Sequence, residues 1–247
     1  MYLENSIAPY RDVNLVTLND DCYLAIACDS CGGVGEKEKD VVKVSPYIVG
    51  RFTTRLNLME ILSVGASPKA LTAAICNEHK PTGEGILMGI KDELKELSLD
   101  LPITISTEKN MKTCQTGLGI TIIGLVKKQN LHINKTKAGD MLFCVGIPKV
   151  GNEVSLDDTQ IATSSLVKEL LQISDIHDII PVGSKGIKGE AEMLVSFLGL
   201  KLNWNKNLPI DINKTAGPAT CVLATCPTEL KIHMQQPIFR LATVYSN

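Results

Sequence analysis

The apolar positions of this chain follow two periods. Short apolar runs at Leu15–Leu18, Tyr23–Cys28, Leu71–Cys76, Ile103–Ser106 and Gly117–Lys127 are bounded by polar or turn-forming residues, and the last four predict strands. Between them, Ile48, Phe52, Leu56, Met59 and Val64 recur near helical spacing. They predict a helix over 46–64, with Gly65 as its C-cap and Pro68 shortly after. Ile86–Leu97 predicts an amphipathic helix with Lys91, Asp92, Lys95 and Glu96 outward. Ser30–Glu38, Pro81–Gly85 and Thr107–Gln115 have turn or polar composition and no periodicity, so they read as loops.

A polar break follows at Asn130–Asp140. Beyond it the pattern predicts a strand over 141–146, a helix over 156–171, a strand over 179–182, a helix over 189–198 and a strand over 221–225. Two halves meeting near residue 135 is the simplest organisation, giving domains 1–134 and 135–247. No short-period repeat is present.

Composition narrows the function classes. The chain has 247 residues, 44% of them hydrophobic and 21% charged, enough apolar content for a real core. Its formal net charge is -2 and no Lys/Arg cluster stands out, which argues against a nucleic-acid or anionic-membrane partner. The mixed run Glu36–Asp40 reads as a solvated loop. Glu4, Arg11 and Asp12 interrupt the first dozen residues, no signal peptide is expected, and no apolar window is long enough to span a membrane. A cytoplasmic location is the expectation, and the Asn-Lys-Thr triplets at Asn134 and Asn213 are then not glycosylated. Cys28/Cys31 and Cys221/Cys226 each resemble half of a metal site at most, and most cysteines read as small core residues. Cys31 stands apart because it sits in a Gly-rich stretch beside acidic residues.

Asp20 and Asp21 precede the Tyr23–Cys28 run and Asp29 follows it. Strand ends present ligands in α/β sheets, and magnesium prefers carboxylate oxygens shared with substrate phosphates. The competing reading is turn-forming aspartates. Asn57 and Glu60 share a helix face and could meet one ligand together. Thr107-Glu108-Lys109-Asn110 offers an acid, a cation and an amide after a strand, or is an ordinary solvated loop. Gly83-x-Gly85 and Gly117-x-Gly119 do not complete a P-loop. Gly183-Ser-Lys-Gly186, opening a helix, is the better anion site. His79, His132, His177 and His233 form no metal-spacing motif, and no serine-hydrolase motif occurs.

In order along the chain, Asp20-Asp21-Cys22, Asp29, Gly50-Arg51, Asn57-Leu58-Met59-Glu60, Gly65-Ala66-Ser67-Pro68, Gly139-Asp140, Gly146-Ile-Pro148 and Gly151-Asn-Glu-Val154 resemble the motifs of one superfamily. It contains aminoimidazole-ribonucleotide (AIR) synthase, thiamine-monophosphate kinase, selenophosphate synthetase and the hydrogenase-maturation dehydratase. Two departures stand out: Glu60 replaces the helix aspartate, and Ser106–Asn110 replaces a Gly-Gly-Asp-Thr loop. Both keep the charge and lengthen the side chain by one methylene. The Ser-Thr-Glu-x-Asn loop, a short second half and Ala216–Cys221 look most like α-ribazole kinase, a cobalamin-salvage branch.

The resemblance implies an α+β, two-domain AIR-synthase-like fold. The first domain's sheet is expected to pair across a homodimer, and the second domain to be small and truncated. It implies an ATP- and Mg2+-dependent kinase acting on the 5′-hydroxyl of a nucleoside-like substrate, α-ribazole above all. Asp20, Asp21, Asp29, Glu60 and Glu108 are the expected metal carriers. Arg51, Asn57, Thr107, Lys109, Asn110 and Gly183 are the expected nucleotide or substrate contacts, with Asp29 or Glu108 orienting the acceptor hydroxyl. Asp21→Asn is expected to lower turnover far more than stability. The alternatives are a thiamine-monophosphate kinase or another ATP-dependent member, and a non-catalytic nucleotide-binding sensor or scaffold.

Overall fold

The computed structural model describes residues 10–230 and 234–246. The expectation about a leader segment falls largely on residues 1–9, and with His233 it lies outside them. The chain divides into two compact units, Met1–Leu131 and His132–Asn247.

The first unit runs β1 (Val13–Thr17), β2 (Cys22–Gly32), β3 (Val34–Gly35), β4 (Val42–Lys43), α1 (Pro46–Ser63), β5 (Ser67–Ile75), α2 (Glu84–Glu96), β6 (Ile103–Thr107) and β7 (Gly117–Lys127). Five strands form one sheet in the order β1-β2-β7-β5-β6. Side chains alternate between its faces, as the period of two demands. Ala25, Ala27, Leu71, Ala73, Leu118, Ile120 and Ile122 are buried on the face that α1 covers. Val16, Leu24, Ile26, Ile123 and Leu125 are only half-buried on the other face.

Helix α1 is buried on two sides, against the sheet and against α2. Glycine allows the helix crossing. A Cβ on Gly50 would lie 2.2 Å from the Ile86 carbonyl oxygen, and one on Gly89 would lie 2.1 Å from that of Tyr47. Beside this contact, Arg55 Nε donates to Glu93 Oε1 at 2.8 Å.

The second unit runs β8 (Met141–Gly146), α3 (Ser164–Leu170), β9 (Asp178–Pro181), α4 (Gly186–Phe197), β10 (Leu200–Trp204), β11 (Cys221–Cys226) and β12 (Ile238–Ser246). Its sheet, β10-β12-β8-β11-β9, is antiparallel throughout. Leu142, Cys144, Ile180, Ile187, Leu194, Leu223 and Leu241 form its core. The architecture is α+β in both units.

Four elements differ from the pattern reading. The Tyr23–Cys28 strand continues to Gly32, because β7 pairs with it through Gly32↔Gly117; Asp29 and Cys31 are therefore strand residues, not loop residues. The helix over 156–171 shrinks to Ser164–Leu170. Thr163 starts it by accepting the Leu166 N–H, and Asp158 closes a turn by accepting the Gln160 N–H. Strands β10 and β12 were not legible; β12 carries a bulge between Arg240 and Ala242 that breaks its alternation. Among the described residues no helix is long and apolar enough to cross a membrane.

Candidate functional site

The site is built where α1 lies over the C-terminal half of β2. The Cys31 thiol hydrogen-bonds the Thr53 side chain. Eight residues further along α1, Ile61 approaches Gly124, which pairs with Ala25. These two anchors show that α1 runs antiparallel to β2. Thr53, Asn57 and Ile61 form an i, i+4, i+8 stripe, so Asn57 stands level with Ala27–Asp29, and Glu60 is one turn further on.

Asp29, Asn57 and Cys31 each carry an electrostatic or hydrogen-bonding cost of burial. Burial pushes the Asp29 carboxyl above the usual carboxylate range; a backbone hydrogen bond at Ser30 pulls against this, and the charge of Asp12 adds to the rise. Asn57 is 1% exposed; its Nδ2 donates to the Thr53 carbonyl at 2.9 Å, while its Oδ1 has no hydrogen-bond partner among the described residues. Glu60 is 7% exposed. Burial also raises the Cys31 thiol, and Asp29 and Asp40 add to that rise, so this cysteine is held protonated and is no reactive thiol. Cys28 and Cys31 lie three residues apart on one strand, on opposite faces, which rules out a shared metal. The five-residue spacing of Cys221 and Cys226 on β11 has the same effect.

The loops at these strand ends are tied together. Asn77, after β5, donates to Thr113 Oγ1 and the Gln115 carbonyl, both at 2.7 Å, and its Oδ1 accepts the Gly117 N–H at 3.0 Å. The Asn77 carbonyl accepts the Glu108 N–H. Glu108 Oε1 in turn accepts the N–H groups of Asn110 and Met111 at 2.7 and 3.0 Å, which holds its carboxyl below the usual range. Thr107 ends β6, its methyl 3.3 Å from where a Gly83 Cβ would lie. Lys109 and Asn110 are exposed.

Four expected site residues stand elsewhere. Asp20 and Asp21 lie in the β1–β2 turn, where Asn19 Oδ1 accepts the N–H groups of Asp21 and Cys22, both at 2.9 Å. Asp21 and Asp29 are eight residue steps apart along an extended strand, about 26 Å at ~3.3 Å each, so the two cannot share an ion. They are turn aspartates. Asp12 is the acid that the fold brings to Asp29: Val13 pairs with Ala27, placing Asp12 alongside that end of β2. Arg51 belongs to the α1–α2 contact. Its Nε donates to Glu93 Oε2 at 2.8 Å, and its NH2 and NH1 groups donate to Glu96 Oε1 and the Tyr47 hydroxyl, both at 3.0 Å. Gly183 lies in the second unit. There the Gly183 carbonyl accepts from Gly186 and Ala216, the Ile212 carbonyl takes the Lys188 N–H, and the buried Glu190 carboxylate faces Gly183. Those groups oppose an anion at that helix start.

Among the described residues no three His, Cys, Asp or Glu side chains gather closely enough to hold a metal. The groups at this end of β2 offer oxygens only, from Asp12, Asp29 and Asn57 Oδ1, with Glu60 a turn further along α1. Such a set fits magnesium completed by substrate phosphates and waters, and not a protein-only cage.

Residues 10–126 match the family model of AIR synthase related protein, N-terminal domain. No curated protein sequence matches the chain. Solved structures match across both units. One is Thermotoga maritima PurL complexed with ATP, at TM-score 0.62 and 16% identity, covering 94% of this chain and 37% of that one. Another is AaThiL complexed with AMPPCP and TMP, at TM-score 0.65 and 13% identity, covering 96% and 85%. Thiamine monophosphate kinase from Aquifex aeolicus gives TM-score 0.65 and 14% identity, covering 91% and 86%. The chain thus spans little over a third of PurL and most of the kinase. At these identities the likeness shows the fold, which is AIR-synthase-like.

Proposed function

We propose that this protein is a magnesium- and ATP-dependent small-molecule kinase. The observation that carries the reading is the near-complete mutual coverage with a kinase structure complexed with a nucleotide analogue and its substrate. The buried oxygen donors of α1 and β2 support it. Asp12, Asp29, Glu60 and Asn57 would each be available to lend an oxygen to a magnesium held mainly by nucleotide phosphates and water, which would supply charge neutralisation for the transferred phosphoryl group. Asp29, its carboxyl already raised by burial, accepts the proton of the attacking hydroxyl. Glu108, Lys109 and Asn110 border the acceptor.

The acceptor we infer is the 5′-hydroxyl of a nucleoside-like molecule, α-ribazole first, on the strength of the Ser106–Asn110 sequence. Thiamine monophosphate is the second reading, favoured by the substrate named in the matching structure. The working form is a homodimer joined through the half-buried sheet face of Leu24, Ile26, Ile123 and Leu125, in the cytoplasm.

Mass spectrometry after incubation with magnesium–ATP and, separately, α-ribazole, thiamine monophosphate and common nucleosides tests this. A gain of one phosphoryl group on α-ribazole alone establishes both reaction and acceptor. Transfer only to thiamine monophosphate selects the second reading. No transfer, with clear thermal stabilisation by ATP, leaves a nucleotide-binding sensor.

A further inference from the structure

A second charged pair stands at the same strand ends. Lys37 Nζ donates to both carboxylate oxygens of Glu78, at 2.7 and 2.6 Å, and Thr82 Oγ1 donates to Glu78 Oε1 at 2.6 Å. Burial pushes the Glu78 carboxyl up, but the bonds from Lys37 and Thr82 outweigh it and bring it down to about 2. Glu78 is therefore ionised at neutral pH and competes for the Lys37 ammonium.

The backbone around Lys37 is fixed by contacts independent of its ammonium. The Lys37 N–H donates to Asp40 Oδ2 at 2.8 Å, and its carbonyl accepts from Lys43 Nζ. Asp40, 5% exposed, also accepts the Thr116 N–H and hydroxyl at 2.7 and 2.6 Å. Gly35, at φ 152°, packs so closely that a Cβ would lie 2.2 Å from Thr116 Oγ1. Lys39 N–H donates to the Cys114 carbonyl, and Gln115 Nε2 to the Lys39 carbonyl. This clamps the loop to the segment before β7. The loop leaves β2 just after Cys31, and Glu78 follows Asn77, whose carbonyl holds Glu108. Lys37 is thus rooted beside the Asp29 end of β2, and its partner beside the Glu108 loop.

Exposure decides whether the pair can open. The Lys37 and Glu78 side chains are 22% and 37% exposed. Both groups reach solvent, so water can take the place of either partner when the pair opens. The contrasting pair is Arg55–Glu93, whose carboxylate is fully buried. A lysine ammonium on a flexible stem is a mobile point charge suited to phosphate oxygens.

We propose that Lys37 is a phosphate-binding residue of this site, exchanging the Glu78 carboxylate for the phosphates of the bound nucleotide. The proposal rests on the nucleotide reading above. It involves a change of partner, with no covalent bond made or broken.

Calorimetric binding of magnesium–ATP and of adenosine to the wild-type chain, Lys37→Met, Glu78→Gln and the double variant tests it. Lys37→Met should weaken ATP about tenfold and leave adenosine unchanged, the loss of one charge-assisted contact. Glu78→Gln should tighten ATP severalfold, because the competitor loses its charge. The double variant should behave as Lys37→Met alone, since the Glu78 effect acts through Lys37. If wild-type and Lys37→Met bind ATP equally, or if Glu78→Gln has the same effect without Lys37, the exchange is overturned and the nucleotide reading survives. If no folded variant and no wild-type protein binds ATP, both fall. Thermal melting reports folding, and should Glu78→Gln fail to fold, the ATP-to-adenosine comparison for Lys37→Met decides.

Discussion

Arg51 Nε donates to Glu93 Oε2 at 2.8 Å, and the Glu93 side chain is completely buried between α1 and α2. Arg55 reaches the same carboxylate through Nε and NH2, at 2.8 and 3.1 Å. One buried acid thus answers two arginines. Removing it strands both, so Glu93→Ala should cost about 3–5 kcal/mol. Arg51→Ala, which leaves Arg55 in place, should cost less and should not change ATP-dependent thermal stabilisation. Urea unfolding with and without ATP checks both; a large loss of ATP effect in Arg51→Ala would return Arg51 to the ligand site.

The role expected of Asp21 passes to Asp29. Asp29→Asn should lower turnover by about 10²–10⁴, the usual range for a lost proton acceptor. Its folded carboxyl is raised, so the ionised form opposes folding near neutral pH, and the neutral amide should raise the melting temperature. Asp21→Asn, at an exposed turn, should leave turnover near wild-type. Steady-state kinetics and melting of the two variants settle the assignment; equal turnover losses would sink it.

Glycine sets the helix crossing. Gly89→Ala would place a methyl against the Tyr47 carbonyl oxygen, within 2.1 Å. The helices must then separate, at about 1–3 kcal/mol. A stability unchanged within 0.5 kcal/mol, on the surface-substitution scale of roughly that size, would show that the helices slide freely.

His132 provides a pH signature. Burial, with help from the charges of Lys135 and His177, lowers its folded value to about 4, and its Nε2 is buried without a partner among the described residues. It is neutral when folded. Its stabilising contribution is complete above the ordinary value near 6.5 and is lost as pH falls from there towards 4. His132→Gln should flatten the decline in stability over that window, as denaturant midpoints from pH 7 to 4 would show.

The half-buried sheet face yields a prediction about assembly. Light scattering should give twice the chain mass, and Ile123→Asp, placing a charge at the centre of that face, should halve it. A wild-type monomer at micromolar concentration would refute the dimer.

The sequence by itself determined the elements whose pattern is local. Pro46–Ser63 ends where Gly65 adopts positive φ, and Gly117–Lys127 and Met141–Gly146 begin and end where their apolar runs do. It also marked Asp29, Asn57 and Glu60 as candidates, because acids at strand ends and polar residues inside an apolar helix are legible without coordinates. Tertiary structure decided what those residues meet. The β1–β2 register carried Asp20 and Asp21 to the far turn and brought in Asp12, a pairing no one-dimensional spacing contains. Arg51, polar and on the right helix, turned towards α2 because Glu93 lies there. Lys37 looked like one charge in a solvated run; only the fold of three loops, separated by about forty and seventy-six residues, placed it against Glu78 and rooted it on Asp40. Local periodicity fixes which face a residue occupies, whereas long-range pairing fixes its partners, and electrostatic roles depend on partners.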